Sequence, residues 1–458
     1  MTETSPTPLK LVGAISGFPE YLPAQQRAFQ QAVDTVRGVY EKFGFTPLET
    51  AAVERVETLL SKGILAKEVY GLRRLAAESE DSGAKDLALR FDLTVPLARY
   101  VVQNQQHLVF PFRRYQVQPV WRGERAQAGR YRQFYQFDID TIGDTTLPLA
   151  ADAEVLAAAI KALKALEIGP FTLRVNNRKL LQGLLSWADI QPENQAAAIK
   201  LIDDAEKVGW DKTLKDLASF SCNEAEALVE LLRAPAPLEA ITRTIQFDKL
   251  KGHAEGLVEG FGELQTVLKL ARAMAGLSEE DQTLVADLTI ARGLDYYTGT
   301  VVETRLHSAP ELGSICSGGR YDNLTASLGK KVMPGVGISI GLSRLCAWML
   351  TQPAYQLPAT PARVIVLCQD EALLPYYAEL AANLRAAGVS TEQSLGGKRG
   401  DNQLKNAIKR GVAKAILVGD VERENKTMII KDLVTGIQQV VEVGNWAAVA
   451  QILSINKQ

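Results

Sequence analysis

The stretch that most limits what this chain can become runs from Phe112 to Gly143, where six arginines (113, 114, 122, 125, 130 and 132) crowd a short loop and give way to Gln136, Asp138 and Asp140. Two strand-like runs, Phe112 to Arg122 and Arg130 to Ile142, flank a polar, glycine-bounded Gly-Glu-Arg-Ala-Gln-Ala-Gly, which predicts an antiparallel hairpin. Strand side chains alternate between faces, so Tyr135, Phe137 and Ile139 share one side of the second run and Gln136, Asp138 and Asp140 the other. The first side is expected to be buried and the second to meet a ligand. Guanidinium forks match phosphate oxygens two at a time, and when clustered they repel one another unless anions lie among them. The arginines therefore point to phosphate, and the adjoining amide and carboxylates to a ligand part carrying an ammonium or another donor. A solvated edge hairpin whose arginines pair with nearby carboxylates is the other reading of the same residues.

At 458 residues, 47% of them hydrophobic and 23% charged, the chain has room for two or three ordinary globular domains. Its 51 basic and 53 acidic residues leave a net charge of -2, so any nucleic-acid contact must come from local patches rather than a global field. Cysteines 222, 316, 346 and 368 and histidines 107, 253 and 307 are scattered, with no C-x-x-C or H-x-x-x-H spacing. Neither a structural zinc nor a disulfide framework is expected, which fits a reducing compartment. Met1 to Lys10 is polar and no run of about 18 apolar residues occurs, so the expectation is a cytoplasmic protein with no membrane partner.

Apolar residues at helical spacing from 25 to 43 predict a long helix that stops at Gly44 and leads into a strand. From 86 to 102 a short strand-like run precedes Asp92-Leu93-Thr94-Val95-Pro96, where Pro96 suits the first turn of a helix capped by Asp92 or Thr94. After the hairpin come an alanine-rich helix (about Asp152 to Leu166) and a strand (Phe171 to Val175). Helical segments rich in Ala, Leu, Glu and Lys fill about 185 to 276, read as an insertion in a sheet-based domain because strand-like sequence resumes at Leu284 to Ile290 and Thr300 to Leu306. Proline and alanine crowd Thr351 to Ala362, a linker, and the remainder alternates strands and helices as a compact α/β domain.

Common nucleotide signatures are missing. Gly329-Lys330 and Gly397-Lys398 precede Lys331 and Arg399 rather than Ser or Thr, and in Gly335-Val336-Gly337-Ile338-Ser339-Ile340-Gly341 Ile340 stands where a dinucleotide fingerprint needs glycine. A nucleotide would have to be held by arginines. Arg344 falls in the first turn of the helix beginning near Leu342, where a cation opposes the macrodipole and a bound anion would offset the cost. Between two strands, Ala291 to Gly299 puts an arginine and Tyr296-Tyr297 in a turn that would ordinarily carry small polar residues.

Arg-Phe-Asp-Leu-Thr-Val-Pro (90 to 96), the hairpin segment 121 to 140, Arg-Gly-Leu-Asp-Tyr-Tyr-Thr-Gly (292 to 299), Ser-Gly-Gly-Arg-Tyr-Asp (317 to 322) and the glycine-punctuated run ending in Arg344 together resemble the class II histidyl-tRNA synthetases, in that family's order and over nearly the whole chain. The resemblance implies an α+β fold: an antiparallel sheet core with the helical insertion over 1–350, the linker at 351–362, and an α/β anticodon-binding domain over 363–458. It implies attachment of L-histidine to its tRNA through a histidyl-adenylate, using ATP with Mg2+, in a homodimer joined through the first long helix and the strand after it.

By motif match, Arg122 would hold the α-phosphate of ATP, Glu124 and Arg130 would help place the nucleotide, Arg344 would take the terminal phosphates, and Arg292 would stand opposite Arg122 across the reacting phosphorus. Asp92, Leu93, Thr94, Gln136, Asp140, Arg292, Tyr296 and Tyr297 would line the histidine pocket. No protein residue is expected to ligate a metal on its own. Arg125 and Gln127 at the hairpin tip would approach the tRNA acceptor end, and the basic stretch Lys398, Arg399, Lys405, Lys409, Arg410 and Lys414 would suit backbone phosphates near the anticodon. The chain departs from the family at Ala51, often proline, at Ala126 and Ala128 in the hairpin tip, and at Asp92 and Asp140, where many bacterial members carry Glu. The rival reading is a non-catalytic paralogue that serves as regulatory subunit of ATP phosphoribosyltransferase in histidine biosynthesis. A histidine-sensing or RNA-binding module without catalysis is another.

Overall fold

The computed structural model describes residues 13–60, 66–73, 87–125, 129–220, 224–245, 255–291, 296–323, 325–326, 328–329, 331–396 and 400–453. Contacts divide the chain into two compact units: one holds Ala32–Met349 with the segment ending at Glu20, the other Tyr21–Gln31 with Leu350–Gln458.

Helix α1 (Pro23–Lys42) stops as the pattern predicts, because Gly44 takes the left-handed φ of 81° that a side chain would resist. After it come β1 (Thr46–Pro47), β2 (Val53–Arg55), α2 (Val56–Leu60), β3 (Leu87–Leu89) and α3 (Thr94–Asn104). The start of α3 is tied down by Asp92, whose Oδ1 accepts the amides of Thr94 (3.1 Å) and Val95 (2.9 Å). The hairpin is β4 (Phe112–Trp121) and β5 (Gln133–Ile142), followed by α4 (Ala150–Ala165) and β6 (Phe171–Asn177). A helical block of α5 (Arg178–Trp187), α6 (Pro192–Val208), α7 (Trp210–Ala218), α8 (Ala225–Arg233), α9 (Pro237–Thr244) and α10 (Glu255–Ala275) leads to β7 (Leu284–Ala286), β8 (Thr300–Leu306), β9 (Ser314–Tyr321), β10 (Gly335–Ile340) and α11 (Leu342–Met349).

Eight of these strands form one sheet in the order β1-β4-β5-β10-β9-β8-β6-β7. Its interior pairings are antiparallel, as expected, while the two outermost, β1 on β4 and β7 on β6, are parallel. Strands β2 and β3 pair separately. On the apolar side of the hairpin Tyr115, Phe137 and Ile139 are buried, and Tyr40 of α1 meets Phe137 edge-on at 5.2 Å. The opposite side, where a ligand is expected, is closed from solvent: Arg114, Gln116, Asp138 and Asp140 are all at most 3% exposed. Buried apolar residues of α3 (Leu97, Ala98, Val101), together with Tyr321 and Met333, pack over the end of that side at Ile142.

In the second unit, β11 (Val364–Val366), α12 (Leu374–Ala386), β12 (Thr391–Gln393), α13 (Gly400–Lys409), β13 (Lys414–Leu417), α14 (Asp420–Glu424), β14 (Thr427–Asp432), β15 (Gln438–Glu442) and α15 (Trp446–Leu453) build a five-stranded sheet in the order β12-β11-β13-β14-β15. The first three strands are parallel and the last two antiparallel to their neighbours. Apolar clusters sit on both faces, one around Tyr377, Ile416 and Met428 and the other around Ile365, Ala407 and Ala415, which is why its central strands read as short continuous apolar runs.

The helical block is rooted where α10 packs on α5. A Cβ on Gly260 would lie 2.2 Å from the Leu180 amide nitrogen, and one on Gly183 would lie 2.5 Å from Leu257 Cα, so the two backbones touch directly. Gly260→Ala is expected to lower unfolding free energy by about 1–3 kcal/mol through overpacking. Gly262→Ala, on the same helix with nothing within 4 Å, serves as control and should be neutral or mildly stabilising. Urea titrations of the two variants compare them directly; equal stability would show that the contact tolerates a methyl group.

Candidate active site

The hairpin register sets the site. Arg114 lies directly across from Asp140, Gln116 from Asp138 and Gln118 from Gln136, so one face of β4 and β5 carries a six-residue polar ladder. At its deep end the Arg114 Nη2 is 2.8 Å from Asp140 Oδ2. The hydroxyl of Tyr321 donates to the other oxygen of Asp140. From the neighbouring strand β10 the residue facing Asp140 is Gly337, and a Cβ there would sit 2.0 Å from Asp140 Oδ1. Towards the hairpin tip the Gln136 Nε2 donates to Ser339 Oγ at 2.8 Å, while its Oε1 is buried without a hydrogen bond.

Asp92, Leu93 and Thr94 reach the same region from the start of α3. Leu93 is fully buried and its carbonyl accepts from Arg114 Nη2 at 3.4 Å. Tyr296 stands edge-on to Tyr297 (5.2 Å) and 5.6 Å from the Tyr321 ring, forming an aromatic wall. The Tyr296 hydroxyl is buried with no hydrogen bond of good geometry. Burial raises the Tyr296 phenol well above its usual range, with Asp92, Tyr297 and Asp140 adding to the effect, and Tyr297 is raised by burial and by Asp140. Asp92 and Asp140 are also raised by burial, against the pull of their backbone and side-chain donors and of nearby arginines. The pocket presents the buried Gln136 Oε1 and the Asp140 carboxyl as acceptors for a ligand that donates hydrogen bonds.

Next to the Gln136 end lies a cavity of about 380 Å³ lined by Arg122, Glu124, Arg130, Phe134, Ser339 and Arg344 among others. Arg122 is sandwiched between rings, 4.4 Å from the Phe91 centroid and 5.1 Å from that of Phe134, and its Nε donates to the Phe91 carbonyl at 3.2 Å. Burial lowers the Arg122 pKa, which still leaves a cation at neutral pH. Arg130 pairs with Glu124. Arg344, in the first turn of α11, donates to the carbonyls of Ser314 (2.9 Å) and Gly129 (3.2 Å), which hold it over the cavity.

Thus Asp92, Leu93, Thr94, Gln136, Asp140, Tyr296 and Tyr297 gather on one side, and Arg122, Glu124, Arg130 and Arg344 on the other. Arg125 is exposed at the hairpin tip. Arg292, Gln127, Lys398 and Arg399 fall outside the described residues. In the second unit Lys405 and Lys409 are exposed on α13, whereas Arg410 pairs with Glu392 (2.7 Å) and Lys414 donates to the Ile452 carbonyl (2.7 Å), so those two cations are committed to the fold. Sequence reasoning gave no role to Tyr321, Ser339 or the rings of Phe91 and Phe134, and it grouped Arg114 with the arginines pointing to phosphate, whereas Arg114 is buried against Asp140. Pairing the predicted strands from the loop, Arg122 against Arg130, would have set Arg114 opposite Asp138; the observed register, Trp121 against Gln133, is offset by two residues and places it opposite Asp140.

These features define an antiparallel-sheet protein whose arginine-lined cavity adjoins a buried polar pocket, with a separate α/β unit. The chain belongs to the histidyl-tRNA synthetase family. That family's model, described as histidyl-tRNA synthetase, matches residues 17–345, and an anticodon binding domain model matches 362–451. A histidine--tRNA ligase of Stenotrophomonas maltophilia is 40% identical over 449 residues, covering 94% of this chain and 96% of the relative. A solved histidyl-tRNA synthetase from Nostoc sp. superposes with a TM-score of 0.85 at 36% identity, covering 96% of this chain and 98% of that one. A Bacillus halodurans structure described as an ATP phosphoribosyltransferase regulatory subunit/histidyl-tRNA synthetase shares the fold at a TM-score of 0.69 and 24% identity, covering 88% of this chain and 97% of that one.

Asp138 offers a measurable signature of this buried ladder. Burial is the largest cause that pushes its carboxyl up to about 7, with Asp140 and Asp92 adding and Arg114 and Ser339 opposing. The folded protein therefore keeps a proton up to about pH 7 that an unfolded chain, with an ordinary value of 3.8, releases earlier. Stability from this group is present at low pH and falls as pH rises between those two values, levelling above the upper one. Asp138→Asn should reduce that slope in urea titrations at successive pH values, and an unchanged slope would show that the proton is held elsewhere.

Proposed function

We propose that this chain activates L-histidine with ATP and passes the histidyl group to its tRNA. The observation that carries the reading is the continuous polar face of β5, from Gln136 beside the arginine-lined cavity to Asp140 in the buried pocket, in a chain of this family. An amino acid lying along that strand would bring its carboxylate to the cavity and its side chain to Asp140. In the first step a carboxylate oxygen of histidine attacks the α-phosphorus, the bond to the bridging oxygen breaks, and pyrophosphate leaves with the electron pair. In the second the ribose hydroxyl at the tRNA end attacks the acyl carbon and AMP departs. No protein nucleophile is required, so the residues act by alignment and charge neutralisation.

Arg122 stacks between two rings and serves as the fixed cation on the α-phosphate. Arg292 is its counterpart by motif, Arg130 and Glu124 help seat the nucleotide, and Arg344 takes the terminal phosphates. Asp92 and the orphaned Gln136 Oε1 suit the α-ammonium, while Asp140 and a tyrosine hydroxyl suit the ring nitrogens. Selectivity follows because a side chain without those nitrogens leaves buried polar groups unpaired.

Among the described residues no cluster of three acidic, histidine or cysteine side chains could cage a metal, and Glu124 is the sole carboxylate lining the cavity. This suits Mg2+ carried on the nucleotide phosphates, where Glu124 would be the carboxylate to help hold it and the ion would neutralise phosphate charge. Arg125 and Gln127 would meet the acceptor end of the tRNA, and Lys398, Arg399, Lys405 and Lys409 its anticodon arm, with Arg410 beside them. A homodimer through α1 and β1 and a cytoplasmic location follow from the family; no helix among the described residues is long and apolar enough to cross a membrane.

The regulatory-subunit reading rests on a likeness of 24% identity, which speaks to fold alone, whereas relatives named as ligases reach 40% across 94% of the chain. Histidine-dependent ATP–pyrophosphate exchange by the purified protein separates the two: exchange is expected, and a folded, histidine-binding but silent protein would favour the regulator. Arg122→Ala should cut the exchange kcat roughly a hundredfold, the loss of about 3 kcal/mol typical of removing one transition-state stabiliser. Arg292→Ala should abolish activation while histidine still binds in calorimetry; normal turnover at saturation with weakened binding would contradict that role.

A further inference from the structure

Asp140 is more tightly constrained than a ligand-facing carboxylate needs to be for packing alone. The residue opposite it, Arg114, is 0% exposed, forms an ion pair through Nη2 with Asp140 Oδ2, donates Nη2 to the Leu93 carbonyl, and leaves Nε and Nη1 without hydrogen-bond partners. Replacing a buried ion pair with apolar residues of similar volume is often neutral or stabilising, so stability is a poor reason for a guanidinium here. Tyr321 pins the second oxygen, and Gly337 supplies the only kind of residue whose backbone leaves room for Oδ1. Both oxygens are thereby fixed, yet each keeps a lone pair to offer. Resting on the reading of Asp140 as part of the histidine pocket, we propose that Arg114 is a positioning residue for amino-acid selection: with Tyr321 it holds Asp140 as the acceptor for an imidazole N–H.

The groups around Asp140 set the consequence. Arg114 faces it from β4, Tyr321 from β9, Asp138 lies along β5, Asp92 approaches from the start of α3, and Tyr296 and Tyr297 from the segment before β8, while β10 presents Gly337. Burial and the neighbouring carboxyls favour a proton on Asp140; Arg114 and Tyr321 oppose it. Without the guanidinium the balance tips, and as pH falls Asp140 takes up a proton and turns from acceptor into donor. Histidine recognition then weakens most at low pH, whereas the arginine-lined nucleotide cavity is untouched.

The test is histidine-dependent pyrophosphate exchange by full-length Arg114→Met, Arg114→Lys and Asp140→Asn between about pH 6 and 9, a range bracketing histidine's own titrations. Each KM is divided by the wild-type value at the same pH, which cancels the ionisation of free histidine. Arg114→Met should raise the histidine KM roughly tenfold to a hundredfold at neutral pH, the range for a lost charged hydrogen bond, with the ratio growing as pH falls and the ATP KM unchanged. Arg114→Lys, which keeps the charge without the fork, should lie between with a flatter profile. A pH-independent ratio, or equal effects on both KM values, overturns the proposal. Should Arg114→Met fail to fold, a wild-type histidine KM in Arg114→Lys overturns it instead. If Asp140→Asn is impaired while the Arg114 variants are normal, Arg114 alone is misassigned; if Asp140→Asn binds histidine normally, the pocket reading itself falls.

Discussion

The structure depends on how charge is paired across β4 and β5. A permanently ionised side chain and two carboxyls are closed away from solvent inside a sheet, and only the register that sets Arg114 against Asp140 gives them partners. A slip of one residue would send the ladder to the apolar side and Tyr115, Phe137 and Ile139 to the polar one, leaving unpaired charge against Tyr40 and α1. The pattern that aligns the two strands is therefore the one that assembles the pocket, and folding correctly and being able to recognise a polar ligand are the same event at this hairpin.

From that frame the site separates into halves with opposite electrostatics. Acidic and phenolic groups lie deep, where burial biases them towards their neutral forms. Guanidiniums line the outer cavity, where Arg122 rests on the faces of Phe91 and Phe134 while Asp92 and Glu124 favour its charged form. Gln136 and Ser339 stand at the join, neutral groups between regions that prefer different ligand charges. A zwitterionic substrate with a donating ring, laid against a polyphosphate, matches that sequence of preferences from one end to the other.

Much of this is legible in the sequence. Alternation and a glycine-bounded loop gave the hairpin to within three residues, Pro96 and Asp92 marked the start of α3, and Gly44 marked the end of α1. What stayed hidden depends on distant partners. Strands β1 and β7, expected after Gly44 and from Leu284, span only two and three residues, and their parallel pairing on β4 and β6 is set by those partners rather than by their own sequence. The polar face of β5 was expected to meet a ligand, but how deeply it is closed was not legible, because alternation reports polarity and not cover, and the cover comes from α3 and from Tyr296, Tyr297 and Tyr321, more than a hundred residues on. The basic stretch near α13 shows the same limit: Lys405 and Lys409 point outward, but Arg410 and Lys414 are spent on Glu392 and a carbonyl, a distinction that composition does not carry.

The direct backbone contact between α5 and α10 has an architectural consequence. Because these two helices meet where the block leaves β6 and returns to β7, the excursion is closed at its neck. Beyond it, α6 still ties back to the sheet where Glu206 pairs with Arg174 of β6 and Arg305 of β8, so it is the surface of the block away from that contact that can change while the sheet keeps its geometry. Evolution can thus remodel that appendage for new encounters without retuning the chemistry on which the rest of the molecule is built.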